Sequence, residues 1–366
     1  MQQLTHTQKM RVLIVGGLGK GGIGGTGKGG VHTFIKEQYE NLSDKYYVEI
    51  HNTAPVLGQV VSTFLLSLWQ LLRFPIRQPP DIVHINSSAK FDFYRNSLYV
   101  LFSSHVWDRP VVVRFGGSGF DEFIQTDSRI KRAYISMVLS SIDRILVLTS
   151  LQEVAVTRYV SDQKVTILRQ ATEIHKFSPE FDHQTPRVLH LTELCERKGT
   201  REFIEAVETL LACDGPDCPE FRVDIAGDGE FRTDVEKLAG RDDRVEYHGY
   251  VTGKTKYELY NNASIFVLPT YSEGFPSVVI EAMAGGNVIV TTTASGIPEI
   301  IGEENGITIE PGDAKQLINT LTTLLSDPAR VEEMARRNYA VATESHNWSA
   351  TVERLEKIYD EALASH

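Results

Sequence analysis

This sequence is short of cysteine, of positive charge and of long apolar runs, and each shortage closes off a class of function. Three cysteines, Cys195, Cys213 and Cys218, are too few and too scattered for a disulfide framework, and no His or Cys pair has zinc-ligand spacing. A reducing cytoplasm is the compartment this usage suggests. With 37 Lys and Arg against 48 Asp and Glu, the formal net charge is -11, so no basic face is expected for a nucleic-acid backbone. The longest apolar run, Val60 to Leu72, is interrupted by Ser, Thr and Gln and is too short to span a bilayer. Residues Met1 to Met10 are polar and lack the apolar core of an export signal.

What is present is a repeating alternation of apolar strand and helical patterns, the signature of parallel α/β architecture. Strands are predicted at Arg11–Val15, Tyr47–Ile50, Asp81–Ile85, Val111–Arg114 and Ile145–Leu148, and then at Arg187–Leu191, Phe221–Ile225, Val245–Tyr247, Ile265–Leu268 and Val288–Val290. At 366 residues the chain exceeds what one core usually organises. The two-proline segment Ser178–Pro186 between the two sets reads as a linker. The expected division is a Rossmann-like domain over residues 1–177, a second over 187–345, and a terminal helix over 346–366 that packs back on the first.

The run Val60–Leu72 carries Phe64 and Trp69 and is followed by Arg73 and Arg77. It suits an amphipathic helix lying on an anionic membrane, or a helix packed on its own sheet before the strand at Asp81.

The first strand leads into Gly16–Gly30, ten of whose residues are glycine. Within it, Gly22 to Lys28 nearly matches a nucleotide-hydrolase phosphate loop, but that motif needs Ser or Thr next to hold magnesium, and Gly29 stands there. A phosphate-loop ATPase would show magnesium-dependent turnover lost in Lys28→Ala. Glycines at Gly29 and Gly30 still allow close backbone approach to a phosphate or acceptor, or form an insertion without a ligand.

The densest pattern is Glu273-Gly-Phe-Pro-Ser-Val-Val-Ile-Glu281, two carboxylates eight residues apart across a turn at a strand's carboxyl end. Pro276 and Ser277 signal a helix start, so Glu281 falls about one turn inside. A helix N-terminus at such a crevice offers N–H groups and partial positive charge to a phosphate, while flanking carboxylates accept from neutral hydroxyls. A lone Glu there is equally explained by the helix dipole. Arg197-Lys198-Gly199 follows the first strand of the second set, where its charges could neutralise a diphosphate or simply be solvated.

These residues resemble the retaining glycosyltransferases of family 4. The resemblance rests on Leu268 to Met283, with support from Ile225-Ala-Gly-Asp-Gly229, His248-Gly249-Tyr250, Ser295-Gly-Ile-Pro-Glu299, Asn305-Gly306, Pro311-Gly-Asp313 and Lys176 to Pro179. Gly29-Gly-Val31, Pro80 to Ile85, Gly116-Gly-Ser118 and Asn347-Trp348 extend it, more loosely, along the chain. It implies an α/β fold of two facing Rossmann-like domains, the GT-B architecture, with a cleft between them. It also implies a nucleotide-sugar donor, a glycan or lipid-linked acceptor, and no cofactor or metal. By position, Glu281 would bind the donor ribose, Glu273 the sugar hydroxyls, and Lys198 with Arg197 the diphosphate. Gly274, Phe275, Pro276 and Ser277 would line the sugar phosphate, and Tyr250 and Val251 the base.

Two positions depart from that family. Glu193 stands where an arginine usually partners the lysine, and Phe115 or Gly116 stands where a histidine is common. A carboxylate repels a diphosphate, so Arg197 takes that role or Glu193 points away, for instance at Arg197. These departures leave a second reading, a catalytically silent sugar-nucleotide-binding member. The expected site of action is the cytoplasm, with peripheral contact at the inner membrane face as a further expectation.

Overall fold

The structure is a computed structural model that describes residues 9–18, 30–53, 60–117, 119–213, 218–294 and 296–366. It divides into two units, Met1–Arg169 with Ser349–His366, and Gln170–Trp348. The division falls at Arg169, ahead of the prolines that mark a linker in the sequence. Residues Ser178–Pro186 lie within the second unit, where the Ser178 amide donates to Asn261 at 3.0 Å and the Glu180 amide to the Asn261 carbonyl at 3.2 Å.

The first unit is built on β1 (Arg11–Gly16), β2 (Tyr47–Asn52), β3 (Ile82–Ser87), β4 (Val111–Phe115), β5 (Arg144–Val147) and β6 (Val165–Ile167). They form one parallel sheet in the order β2-β1-β3-β4-β5-β6. The second unit holds β7 (Arg187–Leu191), β8 (Arg222–Ala226), β9 (Val245–Tyr247), β10 (Ile265–Leu268), β11 (Val288–Thr292) and β12 (Gly306–Ile309), in the order β12-β11-β10-β7-β8-β9. Every described strand pair is parallel, and the central strands are continuous apolar runs because helices cover both faces.

Ten of these strands were expected from the sequence; β6 and β12 were not. Both are edge strands with half-exposed middles, so neither shows the apolar run that marks a strand buried on both faces. The helix Trp348–Ser365 belongs with the first unit: the Tyr359 hydroxyl meets His84 Nδ1 at 2.8 Å, and Glu361 takes Arg144 at 3.2 Å.

Cys213 and Cys218 form a disulfide, with Cα atoms 5.9 Å apart. The described residues hold no wider disulfide framework, but this pair, five positions apart, does close, while Cys195 stays free. The bond removes the cysteine argument for a reducing compartment.

Among the described residues no helix is long and apolar enough to cross a membrane. The run from Val60 forms the helix Val60–Arg73, but Leu65, Leu68, Trp69 and Leu72 are exposed rather than packed on the sheet.

Candidate active site

In the second sheet the chain runs outward from β7 through β8 to β9, then returns to place β10 on the other side of β7. The connections leaving β7 and β10 therefore diverge, and the crevice at their carboxyl ends is where ligands bind in open parallel sheets. The sequence has put its charged residues there. The 3-10 turn Glu196–Lys198 follows β7, and the loop to Glu273 follows β10.

The two connections are tied to each other. The Arg197 carbonyl accepts from the Tyr271 amide at 2.9 Å and from the Thr270 hydroxyl at 3.0 Å. Gly199 ends the turn in the left-handed region, at φ 72°, and begins the helix Thr200–Leu211. A Cβ at Gly199 would lie 1.9 Å from the Pro269 carbonyl oxygen, so only glycine lets the two loops come this close. Beneath them, the buried His190 of β7 meets the Val267 carbonyl at 2.9 Å and the Thr200 hydroxyl at 3.2 Å. Burial lowers its pKa to about 4, so the ring is neutral and acts as a fixed hydrogen-bonding strut.

The result is a compact charge cluster. Lys198 forms an ion pair with the buried carboxylate of Glu273, which the Thr270 hydroxyl also approaches at 3.4 Å. Arg197 is 3.8 Å from the same carboxylate and donates to the Ser272 carbonyl at 3.2 Å. Glu193 is exposed and turned toward Arg197 at 3.5 Å, the orientation that avoids repelling an anion in the crevice.

Gly274, Phe275 and Pro276 are buried beyond Glu273, and the helix Ser277–Ala284 starts where Pro276 and Ser277 signal it. Its fifth residue, Glu281, is buried against two groups that spacing alone did not indicate. Lys256, from the helix Gly253–Asn262, donates at 2.8 Å, and the Tyr260 hydroxyl donates at 3.2 Å. Burial, reinforced by the Glu281 charge, raises the Tyr260 pKa well above its ordinary value, so the hydroxyl stays protonated as a donor. Asn287 fixes Tyr260 in turn, donating to its carbonyl at 2.7 Å. Lys256 and Tyr260 sit four residues apart on one helix face, a spacing too common to single out without the acceptor.

Tyr250 and Val251 follow β9 at the sheet edge, with Tyr250 half in solvent. Backbone bonds lead to them from the site: the Thr192 amide donates to Ala226 at 3.1 Å, and the Gly227 amide to Gly249 at 2.8 Å. Gly29 lies outside the described residues, as does the stretch Gly22–Lys28, while Gly30 opens the helix Gly30–Leu42.

In the first unit Phe115 is a core side chain stacked on Phe120, their rings 4.1 Å apart. Arg114, next to it on β4, is buried over the Phe34 ring at 3.6 Å, and burial lowers its pKa to about 9. Elsewhere in the second unit, Asp224, Glu246 and His248 bring ligand-type atoms within 4.8 Å of one another. Asp224 already receives Arg187 at 2.6 Å and His248 at 2.8 Å.

Residues 185–327, which span this loop cluster, match the model of the family described as Glycosyl transferases group 1. Over 208 residues, 52% of this chain, the sequence is 30% identical to sulfoquinovosyl transferase SQD2 of Arabidopsis thaliana, of which the match covers 39%. A longer match, 324 residues at 22% identity, covers 86% of this chain and 68% of the phosphatidylinositol N-acetylglucosaminyltransferase gpi3 subunit of Schizosaccharomyces pombe. Sucrose-phosphate synthase of Thermosynechococcus elongatus superposes with a TM-score of 0.76, at 17% identity, over 98% of this chain and 100% of that one. HepE of Anabaena, solved in complex with UDP, gives 0.69 at 16% identity over 95% and 99%. At such identities the structural likeness speaks to fold alone. Two parallel sheets of this plan give the chain the GT-B architecture, and it spans about half the length of the curated relatives it matches. The matched segment, residues 185–327, is similar to Glycosyl transferases group 1 over less than half of the chain.

Proposed function

We propose that the chain is a retaining glycosyltransferase that needs no metal and moves a sugar from a nucleotide-sugar donor to a glycan or lipid-linked acceptor. The observation that carries this reading is the meeting of Lys198, Arg197 and Glu273 at the switch point between β7 and β10. Lys198 and Arg197 supply fixed positive charge where a nucleoside diphosphate departs, the work a divalent cation does in other sites. Glu273 then accepts from hydroxyls of the donor sugar. Amides at Gly274 and Phe275 and the helix start at Pro276 and Ser277 face its phosphate. Glu281, held by Lys256 and Tyr260, accepts from the ribose hydroxyls, and Tyr250 and Val251 border the base. Breakage of the bond between the sugar and the diphosphate sends its electron pair to the departing phosphate oxygen, and the acceptor hydroxyl forms the new bond on the same face as its proton passes to that oxygen.

The proposed place of action is the cytoplasm with peripheral contact at its membrane, and a thiol count on protein drawn from that compartment tests it against the Cys213–Cys218 bond. A thermal-shift panel of UDP-, GDP- and ADP-sugars tests the donor, because a ligand of the native state raises stability with concentration over Kd. Unchanged affinity in Lys198→Ala or Glu281→Ala would sink the site assignment. The exposed Glu193 in place of an arginine favours the second reading, a silent sugar-nucleotide-binding protein. Slow donor hydrolysis or transfer by the pure chain excludes it.

A further inference from the structure

The helix Val60–Arg73 and the 3-10 turn Phe74–Ile76 that continues it carry Leu65, Leu68, Trp69, Leu72 and Ile76 along one stripe. All five face solvent, Leu72 at 65% and Ile76 at 83% exposure. A surface helix of a water-soluble domain turns such a stripe inward. Here the inner contacts belong to the partly buried Leu71 and the buried Phe74, whose ring meets His51, Tyr99 and Trp107 at 5.0, 4.8 and 4.4 Å. The apolar side is thereby held outward, and contiguous exposed apolar surface of this kind marks an interaction face.

Charge around the stripe is one-sided. No Asp or Glu occurs between Glu49 and Asp81, although the chain has 48 of them. Arg73 lies over the Trp69 ring at 4.4 Å. Beside the stripe is a cavity of about 740 Å³ lined by Arg11, Arg73 and Arg77, with Glu49 as its one carboxylate. Glu49 takes Arg11 at 2.7 Å and Arg77 at 2.6 Å, so the cavity keeps an excess of positive charge.

We propose that this face docks on an anionic lipid bilayer, with the apolar stripe in the interfacial layer and the arginine-lined cavity against lipid phosphates. An apolar stripe with an indole at its middle suits the depth of the headgroup boundary. Each arginine near an anionic leaflet adds to the attraction. The inference concerns the first unit and does not rest on the donor site.

The test uses the full chain with phosphatidylcholine vesicles, with and without phosphatidylglycerol. Co-sedimentation should rise about tenfold or more with the anionic lipid. Trp348 is buried and Trp107 partly so, and brominated acyl chains should therefore quench mainly Trp69. Leu72→Glu with Ile76→Glu should abolish binding, and Arg73→Gln with Arg77→Gln should erase the preference for anionic lipid. Leu72, Arg73 and Ile76 are exposed and Arg77 half-buried, so folding should stay intact, to be confirmed by the melting temperature, and nucleotide-sugar affinity should be unchanged. Absence of vesicle binding, or binding indifferent to both pairs of substitutions, overturns the proposal. So does a lipid-free dimer that the glutamate pair converts to monomer, which would make a second copy of the chain the occupant.

Discussion

At the switch point of the second sheet the chain sets Lys198 against Glu273, whereas the matching strand ends of the first sheet, β1 and β3, carry Gly16 and the uncharged Asn86 and Ser87. Below those ends lies a network of neutral groups: Asn86 donates to Gln38 at 2.9 Å, and Gln38 and Tyr359 both meet His84. Two parallel sheets that each reverse direction beside their first strand thus support two chemistries. One site sets charge against charge, and the other, among the described residues, joins neutral hydrogen-bonding groups beside the buried Arg114. Backbone topology fixes where a site lies, and the residues at two strand ends decide what it can hold.

The sharpest way to break this comparison is through the backbone. Gly199→Ala forces a Cβ onto the Pro269 carbonyl at positive φ and should cost about 3 kcal/mol, read as a lower urea midpoint at unchanged slope. Gly16→Ala, where the nearest atom is the flexible end of Ile35, should cost about 1 kcal/mol.

Acid comes next. Burial lowers the pKa of His190 and His51 to about 4, and burial with the nearby Arg114 charge lowers that of His84 to about 3. The unfolded chain therefore takes up these protons first, and the stability they confer is complete above about pH 6.5 and lost as pH falls toward 4. The loss should be on the order of 2 kcal/mol per ring. His51 and His84 both belong to the first unit, so limited proteolysis at falling pH should cut that unit before the second. Simultaneous cutting of both would contradict this.

Glu281→Ala strands Lys256 and Tyr260 and should weaken donor binding by about 2 kcal/mol, roughly thirtyfold by calorimetry. Asn86→Ala in the first unit should leave it within about twofold. Tyr260→Phe removes one donor to Glu281 and should weaken donor binding by about 1 kcal/mol. Glu193→Gln breaks only an exposed pair, and its effect on unfolding stability should fall within about 0.5 kcal/mol of none.

Much of this was legible in the sequence because parallel strands buried on both faces must be apolar throughout, as Val12 to Val15 and Ile265 to Leu268 are. Glu273, Glu281, Arg197 and Lys198 could be placed at strand and helix ends by local signals. What stayed hidden depends on distant partners. Lys256 and Tyr260 gain meaning only beside Glu281, Arg114 only over Phe34, and Cys213 only in its bond with Cys218. The run after Val60 has the same apolar residues whether its stripe faces a core or water, so orientation was beyond the pattern.

The ion pair between Lys198 and Glu273 makes the ligand-free site its own counter-ion. On the proposed reading, a diphosphate that takes Lys198 leaves a buried carboxylate unsatisfied unless sugar hydroxyls arrive with it. Donor and spent nucleotide would then differ by more than the contacts of the sugar. The released glutamate would penalise the product selectively, so the exchange that admits the substrate also helps to expel what remains of it.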